Sequence, residues 1–397
     1  MIDKKLNKEI QPSQKIIENL INLHTSGKLD DAKKKIVSYI KKFPKAFTLY
    51  NILGAILADE NKLEEAVNYH QKAIEINPSY AEGYNNLAVA LQKLERLDEA
   101  VNNYKIALKL KPNFTQVYNN LATALKYLNK FDEALINCKK AINLKPDFAD
   151  AHNNLGTILK DLNRMEESCE CLNKAIKLKT DYAEAYYNLG IVLKKLGKIE
   201  ESIENYQKAA KIKPGYHEAY NNYLFNLHYL TKYDDQYYIT VAKEFRHGLK
   251  KIENNLCIPY QYKKHPKKIK IGFISGDFGE HPIGFFLLDI LKYLKNKNLE
   301  LFAYSNFIKK DSLNAKIKCH FANWLEIADL NDLEVINQIR KDGINILFDL
   351  SGHSAHNRLP IFINKPAPVQ VSWAGYLAST GIPEIDYVMG DPYVTPP

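Results

Sequence analysis

Three short segments in the second half of the chain combine glycine with side chains that can move protons. Segment 275–282 (SGDFGEHP) follows an apolar run and contains Asp277 and His281. Pro282 suits the first turn of a helix, so His281 is predicted at a helix N-terminus, where the dipole disfavours the imidazolium. A neutral imidazole can accept a proton or polarise a substrate oxygen. The alternative is a structural or solvated histidine, which is the commoner fate of a loop imidazole.

The other two segments are 349–358 (DLSGHSAHNR) and 371–376 (VSWAGY), and each joins an apolar run to a glycine turn. None of the three segments is a GxGxxG fingerprint, so NAD binding is not expected. No nucleophile motif accompanies the histidines, which disfavours a hydrolase. Cys169 and Cys171 lie too close together for a four-ligand site and no matching pair follows, so no metal is expected.

The elements that must position these segments alternate between apolar and amphipathic stretches from residue 269 onward. Strands are predicted at 269–275, 299–304, 324–327, 344–350, 369–373 and 387–389. Helices are predicted at 283–296, 312–321, 332–341 and around 357–363. This alternation predicts a parallel, Rossmann-like sheet, in which ligands bind beyond the carboxyl ends of the strands.

The first 230 residues are organised by a 34-residue repeat. Proline recurs every 34 residues, at Pro44, Pro78, Pro112, Pro146 and Pro214, and Thr180 occupies the one position of this series that is not proline. Leucine recurs with the same period at Leu53, Leu87, Leu121, Leu155 and Leu189. Small residues let paired helices approach, and proline ends each unit. The units are predicted near 13–46, 47–80, 81–114, 115–148, 149–182 and 183–216, with a closing helix from 217. Cys138 falls in an apolar slot and is expected in the core.

Asparagine also recurs at this spacing. The column consists of Asn86, Asn120, Asn154, Asn188 and Asn222. Each lies one residue before a core position, so it is rotated by about 100° onto a neighbouring helix face. An amide offers both a donor and an acceptor and can hold the backbone of an extended peptide. The column predicts a peptide-binding groove; the alternative is that these asparagines only cap or solvate the helices.

Composition excludes several classes of protein. The net charge of +9 is spread along the chain, and the basic run at 263–270 is typical of a solvated linker, so no nucleic-acid partner is expected. The first ten residues lack the apolar core of a signal peptide, and no run of 18 apolar residues occurs, so no membrane span is expected. Five scattered cysteines suit a reducing compartment, and we expect a cytoplasmic protein.

The repeats resemble the tetratricopeptide repeat, and residues 217–397 resemble the protein O-linked N-acetylglucosamine transferases. That family joins a tetratricopeptide superhelix to a two-lobed GT-B glycosyltransferase. The resemblance rests on IKIGFISGDFGEHP, DLSGHSAHNRLP, KPAPVQVSWAGY and IDYVMGD, in that order and with family-like spacing. The asparagine column also resembles the feature with which this family holds peptides. A related plant-type, SPINDLY-like branch uses GDP-fucose.

The resemblance implies an inverting transfer of N-acetylglucosamine from UDP-GlcNAc to Ser or Thr of polypeptides on the concave solenoid face, with no metal or other cofactor. His281 matches a motif histidine beside the reacting sugar, and Asp277 matches an acidic residue implicated in proton transfer. His228 resembles a second active-site histidine, and Gly375 falls in the turn that approaches the donor sugar. Ile283 stands where the family often has threonine.

The implied domains are a solenoid at 1–230, a helical linker at 231–268 and the first GT-B lobe at 269–397. In the family a second lobe follows and carries most of the nucleotide site, including a lysine that neutralises the leaving diphosphate. We therefore expect a chain that lacks this lobe: either a truncated or split gene product, for which a separate nucleotide-binding lobe is a candidate partner, or a scaffold that has lost catalysis. Two functions are carried forward: a protein O-glycosyltransferase or its acceptor-binding half, and a non-catalytic tetratricopeptide scaffold. Whether the chain is active alone stays open.

Overall fold

The computed structural model describes residues 11–231, 233–260, 266–294, 298–373 and 379–390. The chain forms two compact units, one that ends at Val192 and one that begins at Leu193. The predicted fold class is confirmed: a helical tetratricopeptide solenoid is followed by a parallel six-stranded sheet with helices.

The solenoid consists of successive helix pairs. The helices are α1 (Gln14–Thr25), α2 (Leu29–Lys42), α3 (Phe47–Asp59), α4 (Leu63–Ile76), α5 (Ala81–Lys93), α6 (Leu97–Leu110), α7 (Thr115–Tyr127), α8 (Phe131–Leu144), α9 (Ala149–Asp161), α10 (Met165–Leu178), α11 (Ala183–Lys195), α12 (Ile199–Ile212) and α13 (His217–Leu227). Every unit predicted from the 34-residue period contains one pair, and α13 is the predicted closing helix. The helix pairs could be predicted from the 34-residue period because every unit repeats the same local sequence pattern.

Within a pair, the two helices touch where a small residue of the first faces a larger residue of the second. A Cβ atom placed on Gly54 would lie 2.7 Å from the ring of His70, and one on Gly156 would lie 2.7 Å from Cγ of Leu172. These two glycines are required by the size of their neighbours. Cys138 occupies the same register as His70 and is fully buried, as the sequence predicted.

The turns inside the pairs share a left-handed residue at one register. These residues are Gly27, Asn61, Glu95, Asn129, Asn163 and Gly197, with φ between 57° and 76°. Glycine and asparagine adopt this conformation readily, whereas the Cβ of glutamate crowds the backbone. Glu95 therefore carries strain that the equivalent turns avoid.

Replacing Glu95 by glycine should raise the free energy of unfolding by about 0.5–1 kcal/mol, because the left-handed strain outweighs the added chain entropy. Thermal unfolding followed by circular dichroism measures the gain. The matched control is Glu95→Gln, which removes the charge but keeps the strained Cβ and should leave stability unchanged. An equal gain in both variants would assign the effect to charge instead.

The second unit contains the sheet and the helices around it. Its further elements are α14 (Asp235–Gly248), β1 (Ile269–Ser275), α15 (Pro282–Tyr293), β2 (Leu299–Ser305), α16 (Ser312–Lys318), β3 (Asn323–Glu326), α17 (Asp332–Asp342), β4 (Ile346–Asp349), β5 (Val369–Trp373) and β6 (Tyr387–Met389), with 3₁₀ turns at Asn254–Leu256 and Leu359–Asn364. All predicted strands are present within one or two residues of their expected bounds. The helical piece expected around 357–363 is a 3₁₀ turn.

The strands are parallel and lie in the order β3-β2-β1-β4-β5-β6. Strand β1 pairs with β2 on one side and with β4 on the other, so the direction of winding reverses between β1 and β4. In open parallel sheets, this reversal leaves a crevice at the carboxyl ends of the two central strands. Segments 275–282 and 349–358 begin at these two ends.

The region predicted as a linker contacts the segments that connect β4, β5 and β6. Arg246 of α14 forms a two-pronged pair with Glu384, at 2.6 and 3.1 Å, and the Ile252 N–H donates to the Asn364 side chain at 3.0 Å. The predicted boundaries at 230 and 268 follow the loss of the repeat pattern, whereas packing groups everything from Leu193 onward. In the part of the chain that the structure describes, no helix is both long and apolar enough to cross a bilayer.

Candidate active site

The two glycine-containing segments that follow β1 and β4 meet at the crevice. The Leu350 N–H donates to the Ile274 carbonyl at 3.1 Å, and the hydroxyl oxygens of Ser275 and Ser351 are 3.5 Å apart. A Cβ atom on Gly276 would lie 2.5 Å from Cβ of His356, so only glycine permits this approach. Parallel pairing of β1 with β4 brings these distant segments together.

His281 is the N-cap residue of α15. Its Nδ1 accepts a hydrogen bond from the Ile283 N–H at 3.4 Å, and its side chain is 40% exposed. A ring nitrogen that accepts carries no proton, so the proton of the neutral ring lies on Nε2. In the neutral ring, Nε2–H is therefore the hydrogen-bond donor of His281.

Asp277 lies beside His281 and is largely buried. Its Oδ2 is 3.8 Å from His281 Nδ1, and its Oδ1 is 3.4 Å from Nζ of Lys309. The Asp277 N–H donates to the Ser275 hydroxyl at 2.9 Å, which fixes the start of the loop. Lys309 and Asp277 thus form an ion pair in which both side chains are mostly shielded from solvent.

Lys309 was missed in the sequence analysis. It follows β2, and the sequence indicated its role only by the presence of a lysine shortly after a predicted strand. Its position depends on Gly279, since a Cβ atom there would lie 2.7 Å from Cδ of Lys309. Gly279, the second glycine of segment 275–282, therefore makes room for the loop that carries Lys309, in addition to any role in the turn of its own segment.

The polar residues of segment 349–358 mostly hold their own loop. Asp349 is fully buried and accepts the N–H groups of Ser351 and Gly352 at 3.1 and 2.9 Å, and burial raises its pKa to about 6. The Arg358 guanidinium donates to Asp332 and Asn306, both at 2.9 Å. These groups shape the crevice wall and are not presented to a ligand.

His353 lies in the interior of the same segment. Its Nδ1 is 2.8 Å from Oδ1 of Asn221 on α13, and its Nε2 is 3.0 Å from the Thr380 carbonyl oxygen. Burial lowers its pKa to about 4, so the ring is neutral near pH 7. His353 is a buried anchor between α13, its own loop and residue 380.

His228 is the C-cap residue of α13, and its ring centroid is 4.3 Å from that of Tyr238. Partial burial lowers its pKa, and its charge acts to lower the pKa of His353. His228 therefore lies in the neighbourhood of segment 349–358. The predicted donor residue Gly375, together with the rest of 374–378, lies outside the described residues.

The predicted asparagine column forms a hydrogen-bonded ladder between repeats. Four side chains donate from Nδ2 to an asparagine of the preceding repeat: Asn86 to Asn51 at 3.2 Å, Asn120 to Asn85 at 3.2 Å, Asn154 to Asn119 at 2.9 Å and Asn188 to Asn153 at 2.9 Å. The fifth, Asn222, donates to the Glu218 carbonyl at 3.1 Å. The donors are half-buried and the acceptors are buried.

The ladder gives the column a packing role that the sequence analysis did not identify. The signal was present, because Asn85, Asn119 and Asn153 also recur at 34-residue spacing. Each amide has two N–H groups and uses one for the bond to the preceding asparagine, while Nδ2 of Asn154 also donates to the Thr123 hydroxyl at 3.1 Å. In the described residues, no group of three or more His, Cys, Asp or Glu side chains is arranged to hold a metal ion.

Comparison with known proteins agrees with this architecture. The model of glycosyl transferase family 41 matches residues 226–397, and tetratricopeptide-repeat models match 54–95, 81–114, 124–162, 156–197 and 183–216. A probable UDP-N-acetylglucosamine–peptide N-acetylglucosaminyltransferase, SPINDLY of Petunia hybrida, is 33% identical over 135 residues, which are 33% of this chain and 14% of the relative. The Arabidopsis thaliana SEC protein, with the same probable activity, is 29% identical over 152 residues, or 38% of this chain and 16% of the relative.

Among solved structures, a variant of the O-GlcNAc transferase of Thermobaculum terrenum superposes with a TM-score of 0.57 and 28% identity. The alignment covers 70% of this chain and 53% of that protein. The matched segments thus span about a seventh of the curated relatives and about half of the solved one. The chain therefore combines tetratricopeptide repeats with a segment, 226–397, that matches the glycosyl transferase family 41 model, and it is homologous to the SPINDLY and SEC transferases.

Proposed function

We propose that this chain acts in protein O-glycosylation. It transfers N-acetylglucosamine from UDP-GlcNAc to Ser or Thr hydroxyls of polypeptides held along the asparagine ladder, either as the enzyme or as its acceptor-binding half. The observation that supports this most is the placement of His281 and Asp277 at the carboxyl end of β1. That end lies beside the winding reversal of a family 41 sheet.

The geometry favours different roles for the two residues. Nδ1 of His281 is occupied by the Ile283 N–H, so Nε2–H is a donor that can bind and orient a substrate oxygen. The Asp277 carboxylate accepts the proton of the acceptor hydroxyl. As that proton leaves, the hydroxyl oxygen bonds to the anomeric carbon, the bond to the diphosphate breaks, and the configuration inverts.

The test is transfer itself. The purified chain is incubated with Ser/Thr peptides and, in separate reactions, with UDP-GlcNAc or GDP-fucose, and the peptides are analysed by mass spectrometry. A mass increase that matches N-acetylglucosamine, with UDP released in equal amount, is the expected result. Transfer from GDP-fucose alone would refute the proposed sugar.

A second candidate is a non-catalytic peptide-binding scaffold. It is favoured by the location of Asn86, Asn120, Asn154 and Asn188 in the unit that ends at Val192, since that unit lacks Asp277 and His281. Peptide binding without transfer from either donor would support this alternative over the enzyme.

Replacing Asn120, Asn154 and Asn188 together by alanine should weaken peptide binding at least about tenfold, because each amide loses its bonds to the peptide backbone. Fluorescence anisotropy of a labelled peptide measures the dissociation constant. The matched control replaces Asn103, Asn137 and Asn205, whose side chains donate only to carbonyls of their own helices. If the two triple variants bind equally well, the ladder serves only to join the repeats.

A further inference from the structure

A cavity of about 610 Å³ lies beside the asparagine ladder, between α5 and α7. Asn120 forms part of its wall, so a peptide held by the ladder passes its mouth. Volumes of this size are typical of sites that enclose a ligand group instead of a bare backbone. This cavity lies wholly within the unit that ends at Val192.

The cavity wall contains one residue that departs from the next two repeats. Gln92 stands in a register that contains Lys126 and Lys160 in the next two repeats. The amide oxygen of Gln92 accepts from the Tyr104 hydroxyl at 3.0 Å, which holds the side chain against the wall. Lys126 and Lys160 instead extend to Asp161, at 3.5 and 3.2 Å.

Thr123 and Asn120, two polar residues of the wall, already have hydrogen-bond partners. Thr123 donates to the Asn119 carbonyl at 3.1 Å and accepts from Asn154 at 3.1 Å. Asn120 donates to Asn85 and accepts from Gln116 at 3.0 Å. A polar side chain that entered would lose its water and would compete with these existing bonds, which is unfavourable.

The remaining wall combines apolar and aromatic residues with one pair of charged residues. Val89 and Leu97 are partly buried there, and Tyr127 exposes 62% of its surface. Lys93 and Glu95, both exposed, carry opposite charges at the same cavity. Nζ of Lys126 lies 5.8 Å from the Tyr127 ring centre, so a basic side chain that approached this ring would meet a like charge.

We propose that this cavity is a specificity pocket for an aromatic side chain of the bound polypeptide. The inference rests on the proposed function, because it requires a peptide on the ladder. An aromatic ring fills such a space, packs against Val89 and Leu97, and forms a ring–ring contact with Tyr127. The pocket thereby selects acceptor polypeptides that carry an aromatic residue at a set distance from the segment bound by the ladder.

The experiment uses the full chain and two labelled peptides of Ser, Gly and Thr that differ only in one central residue, Phe or Ser. Fluorescence anisotropy should show binding of the Phe peptide at least about tenfold tighter, as expected for burial of an aromatic side chain. Val89→Trp fills the cavity and should abolish the preference. Tyr127→Ala removes an exposed wall and should reduce the preference roughly threefold.

The matched control is Ile136→Ala, which removes an exposed apolar side chain that does not line the cavity. It should leave both dissociation constants unchanged. Because Tyr127 and Ile136 are both exposed, neither substitution threatens the fold. Equal affinity for the two peptides, or a preference that survives both pocket variants, would overturn the inference while leaving the ladder intact. Absence of binding by either peptide would overturn peptide holding by the ladder together with the pocket.

Discussion

Replacing His281 by alanine is expected to lower the rate of sugar transfer by at least about 100-fold. The loss follows from removal of the Nε2–H donor at the carboxyl end of β1, where the substrate oxygen is oriented. Turnover of UDP-GlcNAc with a saturating peptide gives kcat, and titration of each substrate gives KM. The expected loss lies in kcat, because the interaction strengthens as charge develops in the transition state.

Alanine at this position also removes the cap of α15, so two further variants separate chemistry from folding. Asparagine is a good N-cap residue, and His281→Asn should retain the helix start while losing the imidazole. His247→Ala is the matched control, since that histidine is exposed and bonds only to the Lys243 carbonyl of its own helix. Near-normal transfer by His281→Asn would show that residue 281 serves as a cap only.

Acidification is expected to destabilise the repeats through His70. This imidazole is buried, its Nδ1 is 2.9 Å from Oδ1 of Asn51, and burial lowers its pKa to about 4. The unfolded chain binds the proton near pH 6.5, so the unfolded state takes up more protons as the pH falls between these values. The stabilisation is complete above pH 6.5 and decreases toward pH 4, by about 3 kcal/mol in total.

The measurement compares the free energy of unfolding of wild type and His70→Phe at about pH 7.5 and about pH 4.5. Phenylalanine matches the ring and cannot be protonated, so the variant should lose much less stability on acidification. His152→Tyr is the matched control, because it removes a less buried histidine from a register that contains Tyr118 and Tyr186. The same pH dependence in wild type and His70→Phe would exclude His70 as the cause.

Two buried groups in the other unit act in opposite directions over the same pH range. His353, with a pKa of about 4, loses stabilisation as the pH falls, as His70 does. Asp349, with a pKa raised to about 6, binds a proton more readily in the folded state, so acidification through that range favours folding. The contributions of His353 and Asp349 to the stability of the second unit should therefore partly cancel over this pH range.

The repeats and the type of sheet could be predicted from sequence because both are specified locally. A 34-residue pattern of leucine, small residues and proline defines each helix pair without reference to distant residues. Alternating apolar runs and amphipathic stretches likewise predicted parallel strands, and Pro282 marked the first turn of the helix that His281 caps. The sequence also contains the short motifs, among them segments 275–282 and 349–358, on which the family resemblance rests.

The roles of individual polar side chains depended on contacts between distant segments. His281 and His353 both lie in predicted loops within two residues of a glycine, yet one is partly exposed at a helix start and the other is buried between α13 and residue 380. Lys309 reaches Asp277 only because β2 pairs with β1. Local pattern determines which backbone elements form, whereas burial and hydrogen-bond partners are set by packing across the sheet and between repeats, and these decide which groups can do chemistry.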